Sequence, residues 1–146
     1  MKSREKENCI FCAIAGGLEK AHKVFEDKYF LAFLDHRPLF PGHVLLIPRR
    51  HISTWMDVPD EWLQELAGNI RLLSEAVRAA MHAEGIFIAN NNVVSQRVPH
   101  FHVHIVPRTR GDGLKGFFWP RQKYAGEAEM ERVAAGIREE AAKRVR

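Results

Sequence analysis

Pro99-His100-Phe101-His102-Val103-His104-Ile105-Val106-Pro107 is the stretch that decides how the chain is read. Imidazole and apolar residues alternate along it, and alternate residues of a strand face the same side. The spacing predicts a strand over His100–Val106, closed by Pro107. His100, His102 and His104 then share one face, about 6.6–6.8 Å apart at each two-residue step. Phe101, Val103 and Ile105 cover the other face and belong to the core. A strand that commits three imidazoles to one face has given up a hydrophobic surface. Three explanations fit. The face is a half-exposed polar one where histidine is incidental; or it is a metal site, since imidazole is a common ligand for zinc, copper and iron; or it does phosphate chemistry, with a neutral imidazole as nucleophile and its neighbours stabilising phosphoryl oxygens.

Upstream, Lys23–Glu26 and Tyr29–Leu34 are short, apolar and aromatic, and read as paired strands around Asp27-Lys28. The turn-rich connector Arg37–Gly42 leads into a buried strand, His43–Ile47, that Pro48 ends. From Pro59, a good first helical residue, apolar positions recur at Leu63, Leu66, Ile70, Leu73, Val77 and Ala80. Steps of three and four predict one long amphipathic helix with Gly85 near its stop. Ile86–Ala89 is strand-like, and the polar loop Asn90–Arg97 joins it to the histidine segment. At the start, Cys9–Ala15 forms a short helical turn stopped by Gly16-Gly17. After Gly111-Asp-Gly113 comes an aromatic segment, Phe117-Phe118-Trp119-Pro120. A last helix, about Glu127–Lys143, is expected to bury Met130, Val133, Ala134, Ile137 and Ala141. Helices and antiparallel strands in mixed order give an α+β class.

The 146 residues have room for one domain, with 46% hydrophobic and 27% charged residues arguing against a disordered chain. Val44–Ile47 and Ile86–Ala89, like every other apolar stretch of the sequence, fall far short of the ~18 residues of a membrane span. The charged start, Met1–Glu7, holds no apolar signal core, so the expected location is the cytoplasm. A net charge of +4 suits an anionic ligand, but Arg49-Arg50, Arg108, Arg110 and Lys143-Arg144-Val-Arg146 are scattered. No nucleic-acid partner is expected. Cys9 and Cys12 form a Cys-x-x-Cys pair, which in a chain without an export signal points to metal or redox chemistry and does not choose between them.

His100-Phe-His102-Val-His104-Ile-Val106 resembles the signature of the histidine triad (HIT) family of nucleotide hydrolases and transferases. Pro41-Gly-His43-Val-Leu-Leu-Ile-Pro48, with His51 beyond it, is similar to the family's Pro-Gly-His segment. Leu31-Ala-Phe33-Leu-Asp35 is similar to its nucleoside-binding strand, and Gln96 lies four before the first triad histidine, as in the family. The resemblance runs from Cys9 to Pro107. It implies a HIT-like fold: an antiparallel sheet of about five strands packed with one long helix, plus a short N-terminal helix and a C-terminal helix. The core would span about 9–110 and an extension about 111–146 of a single domain, normally paired in a two-fold homodimer.

The resemblance also implies roles. His102 would attack the α-phosphorus of a purine nucleotide, giving a covalent nucleotidyl-histidine that water hydrolyses. His104 would face the phosphate oxygens, His43 would hold the triad in its productive form, and Gln96 would contact the bridging or leaving oxygen. Asp35 would accept the ribose hydroxyls, Phe33 would line the base pocket or be a plain core aromatic, and Asn90 would contact the nucleoside or phosphate or serve the turn alone. Relatives commonly carry Ser or Thr just after the glutamine, where this chain has Arg97; Ser95 would supply the hydroxyl, Arg97 would add a charge near the polyphosphate, or Arg97 would simply point into solvent. Cys9, Cys12, His51 and His100 match a structural zinc shell found in some relatives, a closed Cys₂His₂ tetrahedron; two reduced cysteines packed as small hydrophobes are the alternative. His22, His36 and His82 belong to no motif and are read as surface residues. The activity implied is hydrolysis of nucleoside phosphoramidates or related nucleotidyl conjugates. Dinucleoside polyphosphate hydrolysis and non-catalytic nucleotide binding are the alternatives. A zinc-stabilised nucleic-acid binder would leave the alternation at His100–His104 unexplained.

Overall fold

The computed structural model of the chain describes residues 8–114 and 122–144, which fall into two compact units divided between Asp112 and Gly113. The first unit begins with a one-and-a-half-turn helix, α1 (Ile10–Ala15), followed by β1 (Lys23–Glu26), β2 (Phe30–Leu34) and β3 (Val44–Pro48). Two 3-10 turns, Trp55–Asp57 and Asp60–Trp62, lead into α2 (Leu63–Ala80), and β4 (Gly85–Ala89) and β5 (Val103–Arg108) complete the unit. The strands form one antiparallel sheet in the order β1-β2-β3-β5-β4.

Both faces of the sheet are covered, which is why β2 (Phe-Leu-Ala-Phe-Leu) and β3 (Val-Leu-Leu-Ile-Pro) read as near-continuous apolar runs. On one face Phe30, Ala32, Val44, Leu46, Phe101, Val103 and Ile105 pack against Trp62, Leu66, Leu73 and Val77 of the α2 segment. Each such side chain contributes about 1.5–3 kcal/mol by leaving water. On the other face Leu31, Phe33, Leu45 and Ile47 meet Cys9, Phe11 and Ile14 from around α1. The register sets Phe33 opposite Leu45, Leu45 opposite His104 and His104 opposite Ala89. His104 therefore stands on the α1 face, in a row with the residues of β2 and β3.

Four expectations need correction. Regular pairing of β5 starts at Val103, so His100 and His102 precede the strand, while Pro107 lies within it opposite Ile86. Their alternation survives because Phe101 stays in the α2-side core. Pro59 caps the second 3-10 turn, and the α-helix starts only at Leu63. The helix stops at Ala80, His82 follows at φ +51°, and Gly85 opens β4. Gly42, at φ +91°, turns the chain into His43; a Cβ built there would lie 2.5 Å from Cγ of Met81, at the end of α2. A side chain at this position of the Pro-Gly-His turn would be both strained and crowded.

In the second unit, α3 (Glu127–Ala142) presents a helix of about the expected length, but it buries none of its residues. Met130, Val133 and Ile137 are exposed, contrary to expectation: within the described residues of this unit nothing apolar packs over them. Glu140 pairs with Lys143 and Arg144 near its end. The aromatic segment Phe117–Pro120 lies outside the described residues. No helix among the described residues is long and apolar enough to cross a membrane.

Candidate active site

The histidines gather where β3, β5 and the segment before β5 meet the N-terminal helix, and their partners fix the tautomers. His102 Nδ1 lies 2.7 Å from the carbonyl of His100. A carbonyl only accepts, so Nδ1 carries the proton and the Nε2 lone pair of His102 is left bare. The Leu39 amide donates to His43 Nδ1 at 3.1 Å, which puts the His43 proton on Nε2, 2.9 Å from Nδ1 of His104. His43 therefore donates to His104, and the remaining N–H of His104 is on Nε2. Burial pushes the pKa values of His43, His102 and His104 down, that of His104 to about 4. The three rings are neutral at pH 7.

The result is a polarised set: a bare nucleophilic nitrogen on His102 beside an N–H donor on His104, the two ring centres 4.9 Å apart. Asp35 sits at the edge of the set. One of its carboxylate oxygens accepts from the Arg37 amide at 2.8 Å and the other is 3.8 Å from His43 Nε2. Its carboxylate opposes the burial effect on all three rings. Asp35, His43 and His104 also lie close enough for one ion, but the Leu39 amide occupies the only free lone pair of His43. His43 and His104 form a hydrogen-bonded pair with the Asp35 carboxylate just outside hydrogen-bond reach, and the three are not a ligand set.

Next to them, ligating atoms of Cys9, Cys12, His51 and His100 all lie within 4.8 Å of one another. His100 Nδ1 is 3.4 Å from Cys9 Sγ and 3.6 Å from Cys12 Sγ, and His51 Nδ1 is 3.3 Å from Cys12 Sγ. Zinc bond lengths of about 2.3 Å to sulfur and 2.0–2.1 Å to nitrogen give a tetrahedral S···N separation of about 3.6 Å. The four donors fit such an ion. His100 Nε2 donates to the Pro48 carbonyl at 2.9 Å, which leaves Nδ1 unprotonated and aimed at both sulfurs, the outer-shell bond a ligating histidine normally makes. Burial lowers the His100 pKa to about 4, so the ring is neutral as a ligand must be. His51 Nε2 is buried without a hydrogen-bond partner.

Residues 17–111 match the HIT domain family. The chain belongs to that family. A crystal structure of a HIT family member from Bacillus subtilis superposes with TM-score 0.81 at 32% identity, covering 95% of this chain and 98% of that one. An adenosine 5'-monophosphoramidase of Saccharomyces cerevisiae is 33% identical over 79% of this chain and 72% of its own. A zinc-bound histidine triad family protein from Mycobacterium smegmatis superposes with TM-score 0.70 at 35% identity, covering 94% of this chain and 99% of that one. The family match begins at Gly17, so the Cys9–Cys12 helix lies outside it.

The fold brings His43, His102, His104 and Asp35 of this HIT protein together in one chain of contacts, with the cysteine–histidine cluster joined to it through His100. The remaining residues singled out in the sequence are held as follows. Both ends of the Gln96 side chain are engaged, with Oε1 accepting from the Val93 amide of its own loop at 3.0 Å and Nε2 donating to the Ser53 carbonyl of the neighbouring segment at 2.6 Å. Ser95 is exposed at φ +60°, and Arg97 is exposed as well. Phe33 is a buried core ring, set edge-on to Phe11 at 5.6 Å between centres. Asn90 donates to the backbone carbonyl of His102 at 2.8 Å. His22, His36 and His82 are exposed, as read from the sequence.

One residue at the site escaped the sequence reading. Phe11, between the two cysteines, meets the rings of His100 and His102 edge-on at 5.8 and 5.2 Å. It forms an apolar wall against His102, delivered by the same helix that carries Cys12. The available signal was its place inside Cys-x-x-Cys; an apolar residue in a short helix otherwise looks like any core residue.

Proposed function

We propose that the chain hydrolyses nucleoside phosphoramidates, or related nucleotidyl conjugates, through a covalent intermediate on Nε2 of His102. One observation carries this reading: the 2.7 Å bond from His102 Nδ1 to the His100 carbonyl, which presents the opposite nitrogen as an unprotonated nucleophile on a ring that burial keeps neutral. In the first step His102 Nε2 bonds to the α-phosphorus, the P–N bond breaks, and the amine leaves with a proton drawn from solvent. In the second, water attacks the same phosphorus and gives a proton back to solvent, the P–Nε2 bond breaks, and a nucleoside monophosphate is released. Splitting one hard displacement into two is what nucleophilic catalysis offers. His104 donates its Nε2–H to a phosphoryl oxygen as charge builds there, and His43 holds His104 in that tautomer.

Asp35 accepts from the ribose hydroxyls with the carboxylate oxygen not engaged by Arg37. Phe33, buried against Phe11, backs the side of the site toward which a purine base would lie. Gln96 and Ser95 shape the phosphate loop, with Gln96 holding its backbone. The yeast relative named as an adenosine 5'-monophosphoramidase supports the substrate class. The Cys9, Cys12, His51 and His100 shell would hold a structural zinc, consistent with the zinc-bound relative; when bound it would supply a rigid cross-link and no hydroxide. A two-fold homodimer is the assembly this reading takes over from the family.

The test is to incubate wild type and His102→Ala with an adenosine phosphoramidate and with a diadenosine polyphosphate. Wild type should cleave the phosphoramidate faster and His102→Ala neither. Faster cleavage of the polyphosphate would make the chain a dinucleoside polyphosphate hydrolase. No cleavage by wild type, with adenosine monophosphate still bound, would make it a nucleotide-binding protein.

A further inference from the structure

Regular pairing between β4 and β5 ends at Ala89 and His104, and β5 itself begins at Val103. The backbone of residues 100–102 thus lies beyond the ladder, and each of its polar groups needs another partner. The Phe101 amide donates to the Ile52 carbonyl at 2.6 Å, and the His100 carbonyl accepts from the ring of His102. The His102 carbonyl accepts from the Asn90 side chain at 2.8 Å. A side-chain amide stands here in place of a neighbouring strand.

That amide is itself held. Asn92 Nδ2 lies 2.5 Å from Asn90 Oδ1, and the Trp55 amide donates to Asn92 Oδ1 at 2.7 Å. The orientations follow from the two ends of the chain. The His102 carbonyl can only accept, so Asn90 must turn its NH₂ toward it and its oxygen toward Asn92. Asn92 must then turn its NH₂ toward Asn90 and its oxygen toward Trp55, whose amide can only donate. Every member is satisfied in one sense only, and such chains reinforce one another. The loop that carries it is under strain. Val93 and Ser95 sit at φ +68° and +60°, and a β-branched residue in that region is an outlier that persists only where its surroundings hold it.

We propose that Asn92 is a positioning residue for His102, acting through Asn90: it fixes the amide that fixes the carbonyl of the nucleophile. The proposal rests on the reading of His102 as the nucleophile. Asn92→Asp removes the donor to Asn90 while leaving an acceptor for the Trp55 amide, so it cuts one link and keeps the loop anchored. Asn90→Ala removes the next link.

Steady-state hydrolysis of an adenosine phosphoramidate should show kcat down about three- to tenfold in Asn92→Asp, the range one neutral hydrogen bond supports, with KM within about twofold. The double variant with Asn90→Ala should be no slower than Asn90→Ala alone, because both act on one chain. An unchanged kcat in Asn92→Asp, a loss confined to KM, or two losses that multiply would overturn the proposal. A second readout needs no turnover: the carbonyl ¹³C resonance of His102 in protein labelled at histidine. It should move in Asn92→Asp as it does in Asn90→Ala, and an unmoved resonance would also overturn the proposal. If wild type turns over no substrate, the functional reading fails by itself while the resonance still decides whether the relay exists.

Discussion

If the proposed zinc fills the Cys9, Cys12, His51 and His100 shell, removing it should unfasten the N-terminal helix while the sheet stays folded. Residues Cys9–Gly17 are held to the sheet by three small buried contacts, Cys9, Phe11 and Ile14, each about 7% exposed. Burying Phe11 and Ile14 contributes about 1.5–3 kcal/mol each, and Cys9 less. Backbone bonds from Ala13 to Cys9, Gly16 to Cys12, Gly17 to Ile14 and Leu18 to Ala13 add about 0.5–1.5 kcal/mol each. Against them, ordering the backbone of the segment costs about 1 kcal/mol or more per residue. The two sides nearly cancel, so the cross-link through Cys9, Cys12, His51 and His100 decides whether the segment is ordered. A metal at about a thousand times its dissociation constant contributes about 4 kcal/mol, worth roughly 10 °C in a domain of this size.

The assay is amide hydrogen exchange before and after dialysis against a chelator, with thermal melting alongside. The amides of Ala13, Gly16, Gly17 and Leu18 should lose protection, those of β2 and β3 should keep it, and Tm should fall by roughly 10 °C. Protected α1 amides and an unchanged Tm after complete metal removal would refute the reasoning, and so would a native protein that binds no metal. Phosphoramidate hydrolysis should fall with α1, because Phe11 would leave the ring of His102.

Three further outcomes follow from single features. Gly42→Ala should destabilise the fold by about 1–3 kcal/mol in urea titration, since φ is +91° and the new Cβ would meet Met81; a neutral result would show that the turn relaxes freely. Val93→Gly should raise stability by about 1 kcal/mol, because glycine adopts φ +68° without the β-branched penalty; a lower Tm would show that the valine side chain makes a stabilising contact. The histidine pKa values are depressed on folding, so the unfolded chain binds protons first as pH falls. Stability from His43, His102 and His104 is therefore complete above about pH 6.5 and lost below it, for His104 down to about pH 4, at up to about 1.4 kcal/mol per pH unit for each group. Stability that rises on acidification through this window would reverse that sign.

What could be read from the sequence was what alternation and local turn chemistry control. β1 falls on Lys23–Glu26 as expected, and the split of His100, His102 and His104 from Phe101, Val103 and Ile105 holds even though pairing begins only at Val103. The four candidate metal donors, up to 91 residues apart in the chain, lie together in the fold. Periodicity could not show where side chains replace backbone partners. The Asn90–Asn92 relay and the engagement of Gln96 with Ser53 depend on the Ser53–Trp55 segment lying beside the loop, which no local pattern encodes. The start of α2 was misplaced because Pro59 suits a 3-10 turn as well as an α-helix. The apolar stripe of α3 was legible, but a stripe does not say whether its own chain covers it.

The most direct test of the account is to trap the intermediate. Wild-type protein mixed with excess adenosine phosphoramidate, quenched within the first turnovers and digested, should carry one adenylyl group on the peptide containing His102, and fragmentation should place it on that residue. His102→Ala should carry none and should lose turnover. An adduct on His43 or His104, or hydrolysis that survives in His102→Ala, would contradict the assignment of the bare Nε2 as the nucleophile.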